Sequence, residues 1–215
     1  MFPKLLSYIA FLILVYVLIV GLIGNVPARP ILNETIRNLY FHVPMWFSMF
    51  GLLSIGLANS IKYLASGNPV NDLKAESYIT VGVVVGVLGL LTGMIWAKYT
   101  WGAWWVSDPK LNGSAITLLM YAAYFVLRSS LPNQILKAKL SNVYSIIAYV
   151  MWIVFLIILP RITDSLHPGN GGNPGFSNYD LDSNMKMVFY PAVIGWFLLT
   201  VWISTITFRI KKLAL

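Results

Sequence analysis

The chain contains no cysteine. It therefore cannot form a disulfide, a thiolate metal site or a thiol nucleophile of its own. Charge is scarce as well. Only 10% of the 215 residues are charged, against 58% apolar, where a soluble domain carries about a quarter charged residues. Too few polar side chains exist to coat a globule, so lipid must cover much of the apolar surface. No glycine-rich phosphate cradle occurs, which argues against a nucleotide site. The net charge of +8 suggests nucleic acid in a soluble protein. In a membrane protein it follows from basic loops on the cytoplasmic side, and we expect membrane lipid rather than nucleic acid as the partner.

What is present is a series of long apolar runs. Six stretches reach the length of about 20 residues that a helix needs to cross the hydrocarbon core: about Leu5–Gly24, Tyr40–Ile61, Tyr78–Ala97, Gly113–Leu131, Asn142–Leu159 and Met187–Phe208. Lipid cannot satisfy free backbone N–H and C=O groups, so the runs must be helical. The expected fold is all-α, one six-helix transmembrane domain over residues 1–215. The first run exceeds the roughly 7–15 residues of a signal-peptide core and reads as a retained anchor. Pro44 and Pro191 fall near the starts of spans two and six, where a missing N–H costs little. Pro160 falls where span five should stop. Gly82, Gly86, Gly89 and Gly93 share one face of span three, a surface that lets a neighbouring backbone approach closely.

Basic residues set the expected orientation. Lys4, Lys62, Lys74, Arg128, Lys137, Lys139, Arg209, Lys211 and Lys212 flank one side, and Arg29, Arg37, Lys98, Lys110, Arg161 and Lys186 the other. The richer side should be cytoplasmic, with both termini on it. Three segments then lie outside: 25–39, 98–112 and 161–186. The inner segments 62–77 and 132–141 read as plain polar connectors, and Arg128 is the only formal charge within the six spans.

Chemistry concentrates outside. Trp101, Trp104, Trp105 and Asp108 stand at i, i+3, i+4 and i+7. In a helix they form one stripe of three indoles ending in a carboxylate. Asp108 precedes Pro109, which should end that short interfacial helix. The stripe has two readings from spacing alone: an aromatic belt at headgroup level, or a flat platform for a planar ligand. The two histidines, His42 and His167, both fall in or beside outer segments and favour the platform. Imidazole ligates haem iron, zinc or copper. Zinc normally takes three or four protein ligands, whereas haem needs two axial nitrogens, an apolar wall and cations for its propionates. Arg29, Arg37, Lys98, Lys110 and Arg161 are candidates for that last role. The turn-rich run 168–176 reads as a linker, or as a lid or docking surface.

The stretch Trp101-Gly102-Ala103-Trp104-Trp105-Val106-Ser107-Asp108 resembles the tryptophan-rich signature of haem-handling proteins of cytochrome c maturation, most closely the haem exporter protein C family. That family has six transmembrane helices, with the tryptophan loop between the third and fourth and one histidine on either side. The matching positions here are His42 and His167. The resemblance implies axial haem binding by both, non-covalent and b-type, with Trp101, Gly102, Trp104, Trp105 and Asp108 presenting the cofactor. It implies binding and delivery rather than catalysis, in a bacterial inner membrane. The recipient would be a periplasmic haem chaperone, with ABC-type transporter subunits and a small accessory membrane protein as further partners. The family commonly has an aromatic where Ser107 stands, and a small residue then Arg where Pro109 and Lys110 stand. Two other functions fit a membrane bundle with histidines: a b-type electron-transfer cytochrome, or a ligand-free structural subunit of a transporter.

Overall fold

A computed structural model describes residues 3–167 and 181–213; the turn-rich run 168–176 lies outside them. The described chain is helical: α1 (Lys4–Ile23), a 3-10 helix (Asn33–Tyr40), α2 (His42–Ser66), α3 (Pro69–Trp101), α4 (Pro109–Ser130), α5 (Gln134–Ile153), a π-helical segment (Val154–Ile158), α6 (Leu159–Ile162) and α7 (Ser183–Leu213). Six helical stretches are long and apolar enough to cross a membrane, as the composition requires.

Most helices run past their apolar cores. α3 has 33 residues and α7 has 31, so the two inner connectors largely vanish. Gly67, left-handed at φ 66°, ends α2, and Asn68 caps α3 by accepting from the Val70 N–H at 3.0 Å. Only residues 131–133 separate α4 from α5. Polar side chains can continue a helix beyond the hydrocarbon, which a hydropathy boundary does not register. Pro191 consequently lies inside α7, not near its start. Pro160 does not stop the fifth stretch either. It lies in α6, and the ladder before it relaxes into the π-helical segment. A proline has no N–H to give the preceding turn, and a widened register accommodates that loss.

The glycine face of α3 packs against α2 in antiparallel register. Added Cβ atoms at Gly82, Gly86, Gly89 and Gly93 would meet, in order, Leu52 and Leu53, Met49, Trp46 and His42. In lipid there is little hydrophobic drive between helices, so such close backbone approach supplies the packing contacts. α7 closes on α1 and α2, where Gly195 faces Ile13 and Leu14 and Gly51 faces Phe197. Gly113 of α4 lies under the π-helical segment, its would-be Cβ 2.5 Å from the Phe155 carbonyl oxygen.

The end of the bundle formed by the α2–α3 and α4–α5 turns carries a buried ion cluster. Arg128 donates from Nη1 to Asp72 Oδ1 at 2.9 Å and from Nη2 to Asp72 Oδ2 at 2.7 Å, and Nη2 also reaches Glu76 at 3.1 Å. Asn142 Nδ2 donates to Asp72 at 2.6 Å, and Lys211 pairs with Glu76 at 2.7 Å. The cluster ties α3, α4, α5 and α7 together. The segment 62–77 is therefore not a plain connector, and Arg128 is not alone: the extended helices carry its counter-charges into the bundle. The opposite end carries both histidines.

Candidate functional site

His42 is the first residue of α2 and its ring lies against α3. Glycine at 93 makes the room, since a Cβ there would stand 2.6 Å from the His42 Cε1. The ring's Nδ1 is 2.9 Å from the Gly89 carbonyl oxygen and 3.2 Å from Thr92 Oγ1. A carbonyl only accepts, so Nδ1 carries the hydrogen. Two indoles border the ring edge-on: Trp46, one turn along α2, at 6.4 Å and Trp96 of α3 at 5.8 Å between centroids. Trp96 donates through Nε1 to Thr35 Oγ1 at 3.1 Å, and Asn38 Nδ2 donates to the Thr92 carbonyl at 3.0 Å. The 3-10 helix is thus pinned across the top of α3.

The tryptophan loop differs from the sequence expectation. Trp101 closes α3, and Gly102 follows in the left-handed region at φ 82°, its N–H on the Lys98 carbonyl at 3.1 Å. Residues 103–107 are not helical. Asp108 is extended, at φ −130°, and caps α4 with Pro109 at the first helical position. No helix spans 101–108, so the three indoles and Asp108 do not form one stripe. Gly102 is a helix stop and Asp-Pro a helix start, and together these signals outweigh the i, i+3, i+4, i+7 spacing. Trp104 and Trp105 stand 53% and 38% exposed, with Trp105 Nε1 donating to Asn112 Oδ1 at 3.1 Å.

Asp108 is 1% exposed and gathers five donors. Its Oδ1 accepts from the Lys110 N–H at 2.9 Å, the Leu111 N–H at 3.4 Å and His167 Nδ1 at 2.9 Å. Its Oδ2 accepts from Ser165 Oγ at 2.9 Å and the Leu166 N–H at 2.7 Å. Burial alone would raise its pKa. The hydrogen bonds from His167, Leu166 and Ser165 outweigh burial and hold the carboxyl well below the usual carboxylate range. The α4 cap and the chain after α6 are therefore fastened to one side chain. The His167 N–H donates to Ser165 Oγ at 3.1 Å, and its ring meets Trp101 edge-on at 5.0 Å.

Both imidazoles are held through Nδ1 by an acceptor, and among the described residues no hydrogen bond uses Nε2 of either ring. Of the five candidate cations, Arg37 serves Glu34 at 2.6 Å and the carbonyls of Gly21 and Gly24. Arg29 faces Asp182 at 3.9 Å, and Lys98 folds onto the Gly102 carbonyl at 2.9 Å. Arg161 donates from Nη1 to the Ile157 carbonyl at 2.7 Å, and Lys110 lies within reach of the charges of Arg161 and Asp108. Among the described residues no three His, Asp or Glu side chains converge on a metal position. Imidazole nitrogens bordered by indole rings are the donor and wall types that the iron of a planar macrocycle takes.

The chain matches the family described as Heme exporter protein C over residues 1–214. It belongs to that family. A Heme exporter protein C from Haemophilus influenzae is 26% identical, covering 98% of this chain and 85% of the relative. One from Paracoccus denitrificans is 28% identical over 137 residues, 64% of this chain. A Cytochrome c biogenesis protein CcsA from Prochlorococcus marinus is 40% identical over 90 residues, 39% of this chain and 29% of the relative. The chain spans 57% of the length of the Paracoccus protein.

Sequence reasoning named His42 and His167 and, beside the His167 ring, Trp101 and Asp108. It also named Gly102, Trp104 and Trp105, which form the turn and its exposed edge. It missed Trp46, Trp96 and Thr92 beside His42. A signal existed for the first, since Trp46 stands at i+4 from His42 on one helix face. Gly93 was legible only as packing, although the group it packs against is the His42 ring.

Proposed function

We propose that this chain binds haem non-covalently between the Nε2 atoms of His42 and His167 and hands it to a periplasmic haem chaperone during cytochrome c maturation. The observation that carries the reading is the matched pair of imidazoles, each fixed through Nδ1 with no hydrogen bond to Nε2 among the described residues. The names of the relatives, haem exporter and cytochrome c biogenesis protein, support the same reading. Haem is the cargo here, and its iron supplies two axial positions. Trp46 and Trp96 brace the His42 ring, Trp101 braces His167, and the exposed Trp104 and Trp105 offer stacking surface where a recipient can approach. Arg29, Arg37, Lys98, Lys110 and Arg161 are the candidate cations for the propionates. No bond of the cargo is made or broken, so the protein acts as a carrier rather than an enzyme.

The basic-residue count supports an orientation with the ion-cluster end and both termini cytoplasmic and the histidines on the outer side, and membership of the family supports a bacterial inner membrane. ABC-type transporter subunits and a small accessory membrane protein are the further partners of this reading. Mixing haem-loaded protein with haem-free chaperone tests it. The expected result is loss of the Soret band from the membrane protein and its gain by the chaperone. Retention of haem by the membrane protein under all conditions would support a resident electron-transfer cytochrome instead.

A further inference from the structure

The two histidines are held by unlike partners. His42 Nδ1 meets a backbone carbonyl and a hydroxyl, both neutral. His167 Nδ1 meets a buried carboxylate whose two oxygens are otherwise filled by backbone and hydroxyl donors. Asp108 cannot turn to another partner without stripping the α4 cap and the 165–166 segment of their acceptor. The ring it holds is also constrained by Trp101 at its edge and by its own N–H on Ser165 Oγ. The hydrogen on His167 Nδ1 therefore follows from one side chain, Asp108.

We propose that Asp108 is a positioning residue for His167, fixing its hydrogen on Nδ1 and making it the stronger electron donor of the two axial ligands. The proposal rests on the haem reading above for its consequence, but not for its geometry. A carboxylate acceptor makes a charge-assisted hydrogen bond. It raises the basicity of the distal ring nitrogen, as carboxylate partners of metal-bound histidines do. A more basic Nε2 favours the ferric over the ferrous iron, so the cargo is held in its oxidised state. The carboxylate of the tryptophan-loop signature thus acts through His167 rather than by touching the macrocycle.

The test uses the whole chain. With only two histidines, ring ¹⁵N labelling yields two sets of signals, and a His42→Gln variant assigns them. In the haem-free wild type His167 should show a hydrogen on Nδ1 and a bare Nε2. Asp108→Asn is the diagnostic variant, because asparagine caps helices about as well as aspartate and the fold can be checked by circular dichroism. It should lose the single tautomer. Loaded with haem, it should show a more positive midpoint potential and about 10- to 100-fold weaker retention. Thr92→Val, on the His42 side, should move the potential less. A wild-type His167 with its hydrogen on Nε2 overturns the proposal, whether or not Asp108→Asn folds. An Asp108→Asn protein with the wild-type tautomer and potential overturns it too. If the wild type takes up no haem at all, the haem reading fails, while the tautomer of the haem-free protein still decides the role of Asp108.

Discussion

The two ends of the helical bundle both bury charged and polar groups, and they use them in opposite ways. At the ion-cluster end Arg128, Asp72, Glu76, Lys211 and Asn142 answer one another, cation against carboxylate, until the set is closed. At the histidine end Asp108 and the Gly89 carbonyl each fix one side of an imidazole, and among the described residues no hydrogen bond uses the other side. A closed network holds helices together. An open one holds a ligand atom in place for something that is not part of the chain. The difference separates structural charge from functional charge in a sequence where both are scarce.

The largest expected effect breaks the closed end. Arg128→Met leaves two carboxylates in a buried site with one counter-charge gone, and removing one member of such a set costs about 3–5 kcal/mol. Thermal unfolding in detergent should drop sharply, while the fraction that remains folded should bind haem as the wild type does. Adding Asp72→Asn and Glu76→Gln should recover much of the loss. A variant that unfolds normally but loses haem would mean that the two ends are not separate.

Next come the glycines of α3, where one face serves both purposes. Gly86→Ala places a Cβ against Met49 Sδ, the end of a flexible chain that can move aside, whereas Gly93→Ala meets the His42 ring. Each carries an overpacking cost of about 1–3 kcal/mol, and melting temperatures should fall by similar amounts. Haem retention should fall only in Gly93→Ala. Equal haem affinity in the two would detach His42 from the ligand set.

The smallest effect is at the loop. Trp104→Ala and Trp105→Ala should each cost about 1 kcal/mol of haem affinity through lost stacking and leave stability unchanged, because both side chains are exposed. Full affinity in the double variant would return these indoles to an interfacial belt.

Much of this was legible in the residues. Six apolar runs located the spans, and the glycine spacing of span three located the face that packs on α2. The scarcity of histidine made His42 and His167 conspicuous. Helix ends were less legible, because Asn68, Asp72, Glu76 and Lys211 extend their helices with polar residues that hydropathy reads as loop. The pairing of Arg128 with Asp72 spans 56 positions and leaves no local trace. The tryptophan stripe was misjudged because helical spacing was weighed above the chain's own punctuation, Gly102 and Asp108-Pro109. That same punctuation brings Asp108 to His167.

The central claim is that His42 and His167 are the two axial ligands of bound haem. Visible absorption spectra of the purified, haem-loaded protein, compared with His42→Ala and His167→Ala, test it most directly. The account predicts a six-coordinate Soret band in the wild type that is shifted or lost in each variant. A wild-type Soret band that survives unchanged in both variants would contradict it.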